Sequence, residues 1–179
     1  SRRISADGDP LANTSRLGLG SVLDIAGFAT VVEPGGAVVV AVGRIDSGPW
    51  LARWSADASV RWVRLAAAPS PAVPAMAATV GGAVVVAWAG RDASGYQEWN
   101  DLEARRAGPD GTPRGGAFRL NRSTAGLQSR PALAVDDAGV LTAVWESPDR
   151  GDGDPGVFGR RFDAGGLPLG GEFRIDGDG

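Results

Sequence analysis

Apolar residues in this chain come in short runs, separated by Gly, Pro, Asp and Ser, and no run repeats at the spacing of one helix face. The segment AVVVAWA at 83–89 is apolar throughout, as expected of a strand covered on both faces. EFRI at 172–175 alternates instead, with Phe173 and Ile175 to one side and Glu172 and Arg174 to the other. That is the period of a strand with one face in water. Many short strands joined by Gly- and Pro-rich turns predict an all-β protein.

The pattern recurs. FRL at 118–120 returns as FRI at 173–175 and is preceded by VRL at 63–65, both steps being 55 residues. GTPRGGAFRL at 111–120 matches GLPLGGEFRI at 166–175. Upstream, PAMAATVGGAVVVAW at 74–88 matches PALAVDDAGVLTAVW at 131–145, a step of 57. FATVVEPGGAVVVAV at 28–42 is a more diverged copy, 46 residues before the middle one. The chain therefore divides into units of approximately 6–65, 66–120 and 121–176, and RRIS at 2–5 reads as an orphan closing strand.

Each unit reads as four strands, which in the last copy are PALAV, VLTAVW, VFGRRF and EFRI. A buried second strand and a half-exposed fourth strand suit a β-propeller-like blade. Three blades are fewer than a closed propeller uses. The expectation is therefore pairing with a second copy, or membership of a larger assembly. The β-trefoil and β-prism are the alternatives, since each closes with three four-stranded units.

At this point the residues resemble a known repeat. FRLNRSTAGLQSRPALAVDDAGVLTAVW and the segment after it are similar to a tandem repeat of bacterial secreted and surface proteins, predicted to be propeller-like and without a uniform activity. The match is good over 118–176, moderate over 63–120 and poor before that. SADASVRW at 55–62 resembles the Asp-box of sialidase-type propellers through Ser55, Asp57 and Trp62, with Ser59 and Arg61 departing from it. The box implies a turn between third and fourth strands rather than an activity. An extracellular or cell-surface location is implied by the resemblance alone.

Composition narrows the chemistry. The chain has no His, no Cys and no Lys, and all 18 basic residues are Arg. The usual zinc and thiolate sites are absent, as are the His base of a catalytic triad and the Lys of a Schiff base or phosphate loop. A net charge of −3 gives no reason to expect nucleic acid as a partner. The longest apolar run, about seven residues, is far short of the ~20 of a membrane-spanning helix. No signal-peptide pattern opens the chain, which leaves both a processed leader and a longer parent open.

Candidate sites then fall in loops. Arg91, Asp92, Tyr96, Glu98, Trp99 and Asp101 combine aromatic faces with forked cations and carboxylates, a set suited to a glycan or a protein. The plainer reading makes Trp99 a packing residue. Asp149, Asp152 and Asp154, spaced by Gly, are candidate Ca²⁺ ligands, although DRGDGDPG lacks the full EF-hand pattern and equally suits a solvated turn. The RGD string at 150–152 is too short to argue adhesion. Trp88 and Trp145 occupy the same repeat position and are expected in the core. The pairs Arg105–Arg106 and Arg160–Arg161 also repeat, and are expected to reach across units or to solvent, with repeated carboxylates as the partners of any inter-unit ion pair.

Three functions remain. One is a non-catalytic extracellular module that binds a protein or glycan, or self-associates into a homo-oligomer. Another is a glycoside hydrolase working through carboxylates such as Glu98 or Asp101, with Tyr96 as the single tyrosine. The last is a structural subunit of a larger assembly.

Overall fold

The computed structural model describes residues 3–4, 10–11, 25–33, 36–44, 47–54, 60–66, 73–79, 81–90, 101–148 and 155–177. Those residues form an all-β fold of three tandem four-stranded antiparallel sheets. The first sheet holds β3 (Ile25–Val32), β4 (Val38–Arg44), β5 (Gly48–Trp54) and β6 (Val60–Arg64). The second holds β7 (Ala75–Ala78), β8 (Val84–Gly90), β9 (Asp101–Ala107) and β10 (Pro113–Arg119). The third holds β11 (Ser129–Val135), β12 (Leu141–Ser147), β13 (Gly156–Phe162) and β14 (Phe173–Arg174). Strand order within each sheet follows the chain, and among the described residues every ladder bond of these sheets stays inside its own unit. The orphan segment is placed separately: β1 (Arg3–Ile4) pairs with β2 (Pro10–Leu11) in a two-stranded ladder.

One turn builds most of the hairpins. In the third sheet Asp136 N donates to Val140 O, and Gly139 N donates to Asp136 O. Gly139 sits at φ 81°, in the left-handed region that closes this kind of short hairpin. The same two-bond turn, with glycine at its fourth place, recurs at Glu33–Ala37, Thr79–Ala83, Gly108–Thr112 and Asp163–Leu167. Glycines spaced along the repeat thus set both register and strand length.

The sheets stack in chain order, with β7 in contact with both β3 and β11. Each sheet has a back face, toward the preceding sheet, and a front face, toward the following one. The front of the first sheet puts Val39, Ala41, Leu51 and Leu65 against Val84, Val86, Trp88 and Ala107 on the back of the second. The front of the second sheet puts Val85, Ala87, Ala89, Leu102, Ala104 and Leu120 against Leu141, Ala143, Trp145, Phe158 and Phe162 on the back of the third. Trp88 and Trp145 are both 1% exposed, as their shared repeat position leads one to expect.

Two expectations need refinement. The second strand is buried along its whole length in β8. In β12 burial alternates instead, because no described sheet covers the front of the third sheet. For the same reason Phe173 and Ile175 are 43% and 49% exposed rather than half-buried on one side.

Candidate functional site

The end of each sheet where its second and fourth strands finish gathers most of the described polar network. Asp101 opens β9. Its Oδ2 accepts from Arg119 Nη2 at 2.9 Å, and its Oδ1 lies 3.5 Å from Asn121 Nδ2. Asn121 is buried, and its Oδ1 accepts from the backbone N–H of Leu102 at 2.7 Å while its Nδ2 donates to Ser123 O. The neighbouring Glu103 accepts from the indole N–H of Trp88 at 3.2 Å. The connection into the third unit is pinned by Glu172, whose Oε1 accepts from the backbone N–H groups of Arg122 and Ser123.

The third unit repeats the scheme with changed residues. Asp176, 55 positions after Asn121, accepts from the backbone N–H of Val157 and from Arg174 Nε at 3.0 Å. Those bonds, the backbone one foremost, hold its carboxyl below the usual carboxylate range. Arg174 also donates to Pro155 O at 2.9 Å. The buried indole N–H of Trp145 is satisfied by Gln128 Oε1 at 2.9 Å, and Gln128 Nε2 donates to Ser147 Oγ and Ala125 O. Arg130 meets Glu146 at 3.2 Å on the surface. Arg130 is also the one non-glycine residue with positive φ among the described residues, at 50°, at the register shift of β11 against β12.

In the first unit Ser47 Oγ accepts from Arg44 Nε and Trp50 Nε1, and Arg64 Nε donates to Ser47 O and Ala66 O. Arg64, Arg119 and Arg174 are therefore one repeated residue. Each ends a fourth strand, each is exposed, and each ties that strand to the chain at or near the start of the third strand or just beyond the fourth. Guanidinium forks beside carboxylate and amide oxygens form a rim of oriented donors and acceptors, the equipment for holding hydroxyl-rich or anionic groups.

Of the predicted contact residues, Asp101 lies in this rim, while Arg91, Asp92, Tyr96, Glu98 and Trp99 lie outside the described residues. The candidate Ca²⁺ ligands Asp149, Asp152 and Asp154, the RGD string and the first five residues of the Asp-box-like segment also lie outside them. Among the described residues no group of three or more acidic side chains converges to hold a metal. No described helix is long and apolar enough to cross a membrane.

Arg105 and Arg106 of β9 reach between units, with partners that differ from expectation, whereas Arg160 of β13 donates to Gly170 O in its own unit and Arg161 is exposed. Arg105 Nη1 donates to Leu65 O at 2.6 Å, back toward the first unit. Arg106 Nη2 donates to Asp163 O at 2.7 Å, forward into the third. The acceptors are backbone carbonyls at hairpin turns and strand ends, not repeated carboxylates. Burial pushes the Arg106 guanidinium below its ordinary pKa, against the opposing pull of Asp163. Arg119, Asn121, Glu103 and Gln128 were not singled out by sequence. The signal for the first lay in VRL, FRL and FRI, which keep one Arg at the same place in all three units.

No protein-family model and no curated protein matches the chain. Among solved structures it is similar to the endo-arabinase from Bacteroides thetaiotaomicron VPI-5482, with 14% identity and a TM-score of 0.52, over 83% of this chain and 61% of that one. The chain thus spans about three fifths of the arabinase's length. It also aligns with a fucose lectin from Kordia zhangzhouensis in complex with methyl-fucoside, with 9% identity and a TM-score of 0.48, over 84% of this chain and 99% of that one. The arabinase likeness is one of fold, and function has to be argued from the site.

Proposed function

We propose that the chain is a non-catalytic extracellular module that recognises a glycan through the end of the sheets carrying Arg64, Arg119 and Arg174. The observation that carries this reading is the repetition itself. Three units present an exposed guanidinium at one place beside hydrogen-bond acceptors, a pattern that suits repeated, shallow contacts with a hydroxyl-rich chain. The fold likeness to an endo-arabinase favours a carbohydrate over a protein ligand. The stacking of the three sheets through β3, β7 and β11 supports reading them as propeller-like blades with those strands innermost. The resemblance to repeats of secreted bacterial proteins supports the location.

The likeness also raises a second reading, glycoside hydrolysis with Asp101 as one of the carboxylates. Against it, the Asp101 carboxylate is held by Arg119 and Asn121, as a structural acceptor would be. Calorimetric titration with arabinan oligosaccharides, run beside a reducing-sugar assay, separates the two. Binding without product, weakened about tenfold or more by Arg119→Ala, is the expected result. Product release that Asp101→Asn abolishes would establish the hydrolase instead. Absence of both sinks this choice of ligand.

A further inference from the structure

The front face of the third sheet repeats a buried surface that here stands open. In the second sheet Phe118 stacks on Phe162 of the third sheet, with ring centroids 5.5 Å apart, and Leu120 is 0% exposed. The residues 55 positions later are Phe173, 43% exposed with its ring over Gly159, and Ile175, 49% exposed. Arg106 crosses the seam to Gly139 O and Asp163 O. Its counterpart Arg161 is exposed, and its guanidinium has no partner among the described residues. The turn beside Arg161 adds apolar surface that the second unit lacks. Leu167 and Leu169 are 68% and 55% exposed where the second unit has Thr112 and Arg114. Leu169 N donates to Arg161 O, which keeps this turn beside the open face.

The charges on the face are ordered. Strand register pairs Thr142 with Arg161, Val144 with Gly159 and Glu146 with Val157, so these six share the front face. Arg161 stands at one end of it beside Thr142, Val144 and Gly159 lie in the middle, and Glu146 stands at the other end beside Val157, where it also meets Arg130 at 3.2 Å. A twofold axis running in the plane of the face, across the strands, would set Arg161 of each copy opposite Glu146 of the other. The first sheet offers no matching open back face. Its back face is closed at the centre, where Val42 and Ala52 are 1% and 0% exposed, and open only along the edge strand β3, where Phe28 and Val32 are 67% and 70% exposed.

We propose that this face docks a second copy of the chain, the two third sheets packing front to front about that twofold axis. Phe173 and Val144 form the buried centre, with Ile175 toward the Glu146 end. At each end Arg161 of one copy meets Glu146 of the other, whose carboxylate it shares with Arg130. The inference does not rest on the glycan reading, because it is argued from the front face of β12–β14, although Glu146 and Ile175 border the proposed rim.

Sedimentation of the full chain over a range of concentrations tests it. The expected result is a reversible monomer–dimer equilibrium in the micromolar range, as fits a modest interface. Phe173→Asp weakens it about tenfold or more. Arg161→Glu and Glu146→Arg each weaken the homodimer, and mixing the two variants restores a heterodimer, since opposite charges then meet at both ends. Near-ultraviolet circular dichroism, which reads the buried Trp88 and Trp145, confirms that each variant is folded. A chain monomeric at every concentration would overturn the proposal. So would a dimer indifferent to the charge reversals, or a mixture that recovers nothing.

Discussion

The two seams between sheets are built from the same repeat but held differently. The seam between the first and second sheets is mainly aliphatic, with Trp88 as its large residue. Arg105 crosses it to Leu65 O, and beside it lies an ion pair inside the first unit, Arg53 to Glu33 at 2.5 Å, with the Glu33 side chain 5% exposed. The seam between the second and third sheets is aromatic, with Trp145, Phe158, Phe162 and Phe118, and Arg106 crosses it to backbone carbonyls. Arg53 and Arg106 are the same position of the third strand, each pairing beside a second-strand valine: Arg53 with Val39, Arg106 with Val85. One therefore finds its partner within its own sheet and the other in the next. The difference shows that the repeat demands a cation at that place but leaves its acceptor free. The first seam joins aliphatic packing to a charge pair on its own side, the second joins ring packing to a cation that crosses it.

The comparison can be broken most forcefully in the aromatic seam. Phe162→Ala removes a ring that is 1% exposed and stacked on Phe118, and is expected to cost about 3–5 kcal/mol by denaturant unfolding. Phe173→Ala, on the open face, is expected to cost under about 1 kcal/mol in the monomer. Equal losses at the two positions would show that the third sheet is covered in solution by something in the chain.

Next comes the charge pair. Glu33→Ala leaves the Arg53 guanidinium largely buried without its carboxylate, and is expected to cost about 3 kcal/mol. The double change Glu33→Leu with Arg53→Met should recover most of that, because an apolar pair of similar size needs no desolvation of charge. If the double variant is no more stable than Glu33→Ala, the pair orders the turn in some other way.

Arg106→Ala is expected to lose about 1.5–3 kcal/mol by breaking hydrogen bonds from a cation to Gly139 O and Asp163 O. Arg161→Ala, at its exposed counterpart, should stay within about 0.5 kcal/mol of the parent when measured at monomer concentrations. Matching effects would mean that the arginine acts within its strand rather than across the seam.

The smallest effect is in pH. The Asp110 carboxyl is held below the usual range, chiefly by the Thr112 hydroxyl and then by the Thr112 backbone N–H, and Asp176 by the N–H of Val157. A lowered carboxyl contributes stability above its unfolded pKa and loses it as pH falls through its folded value. Asp110→Asn should therefore unfold at slightly lower urea than the parent near neutral pH, and the gap should close in acid. A gap that persists in strong acid would assign the loss to geometry rather than to charge.

Much of this architecture could be read before any coordinates. The steps between PAMAATVGGAVVVAW, PALAVDDAGVLTAVW and their neighbours mark the units, and Gly82 and Gly139 mark the same turn in two of them. The buried Trp88 and Trp145 follow from their shared place at the end of an apolar strand. The candidate rim was less legible. Asp101 stood out, but Asn121 and Gln128 did not, because an amide that caps a buried N–H looks like any polar loop residue until its partner is known. The arginine partners were misjudged for a related reason. A carboxylate is visible in a sequence as an acceptor, whereas a backbone carbonyl presented at a turn is not.

The sequence by itself determined the three-unit count, the hairpin turns and which strands are apolar, because each is a local pattern repeated at a fixed step. Only the tertiary structure decided which apolar faces are covered. Phe118 and Phe173 carry the same residue in nearly the same context, yet one stacks under a neighbouring sheet and the other meets solvent. Burial belongs to the pair of surfaces that meet, and no single strand encodes whether its partner is there.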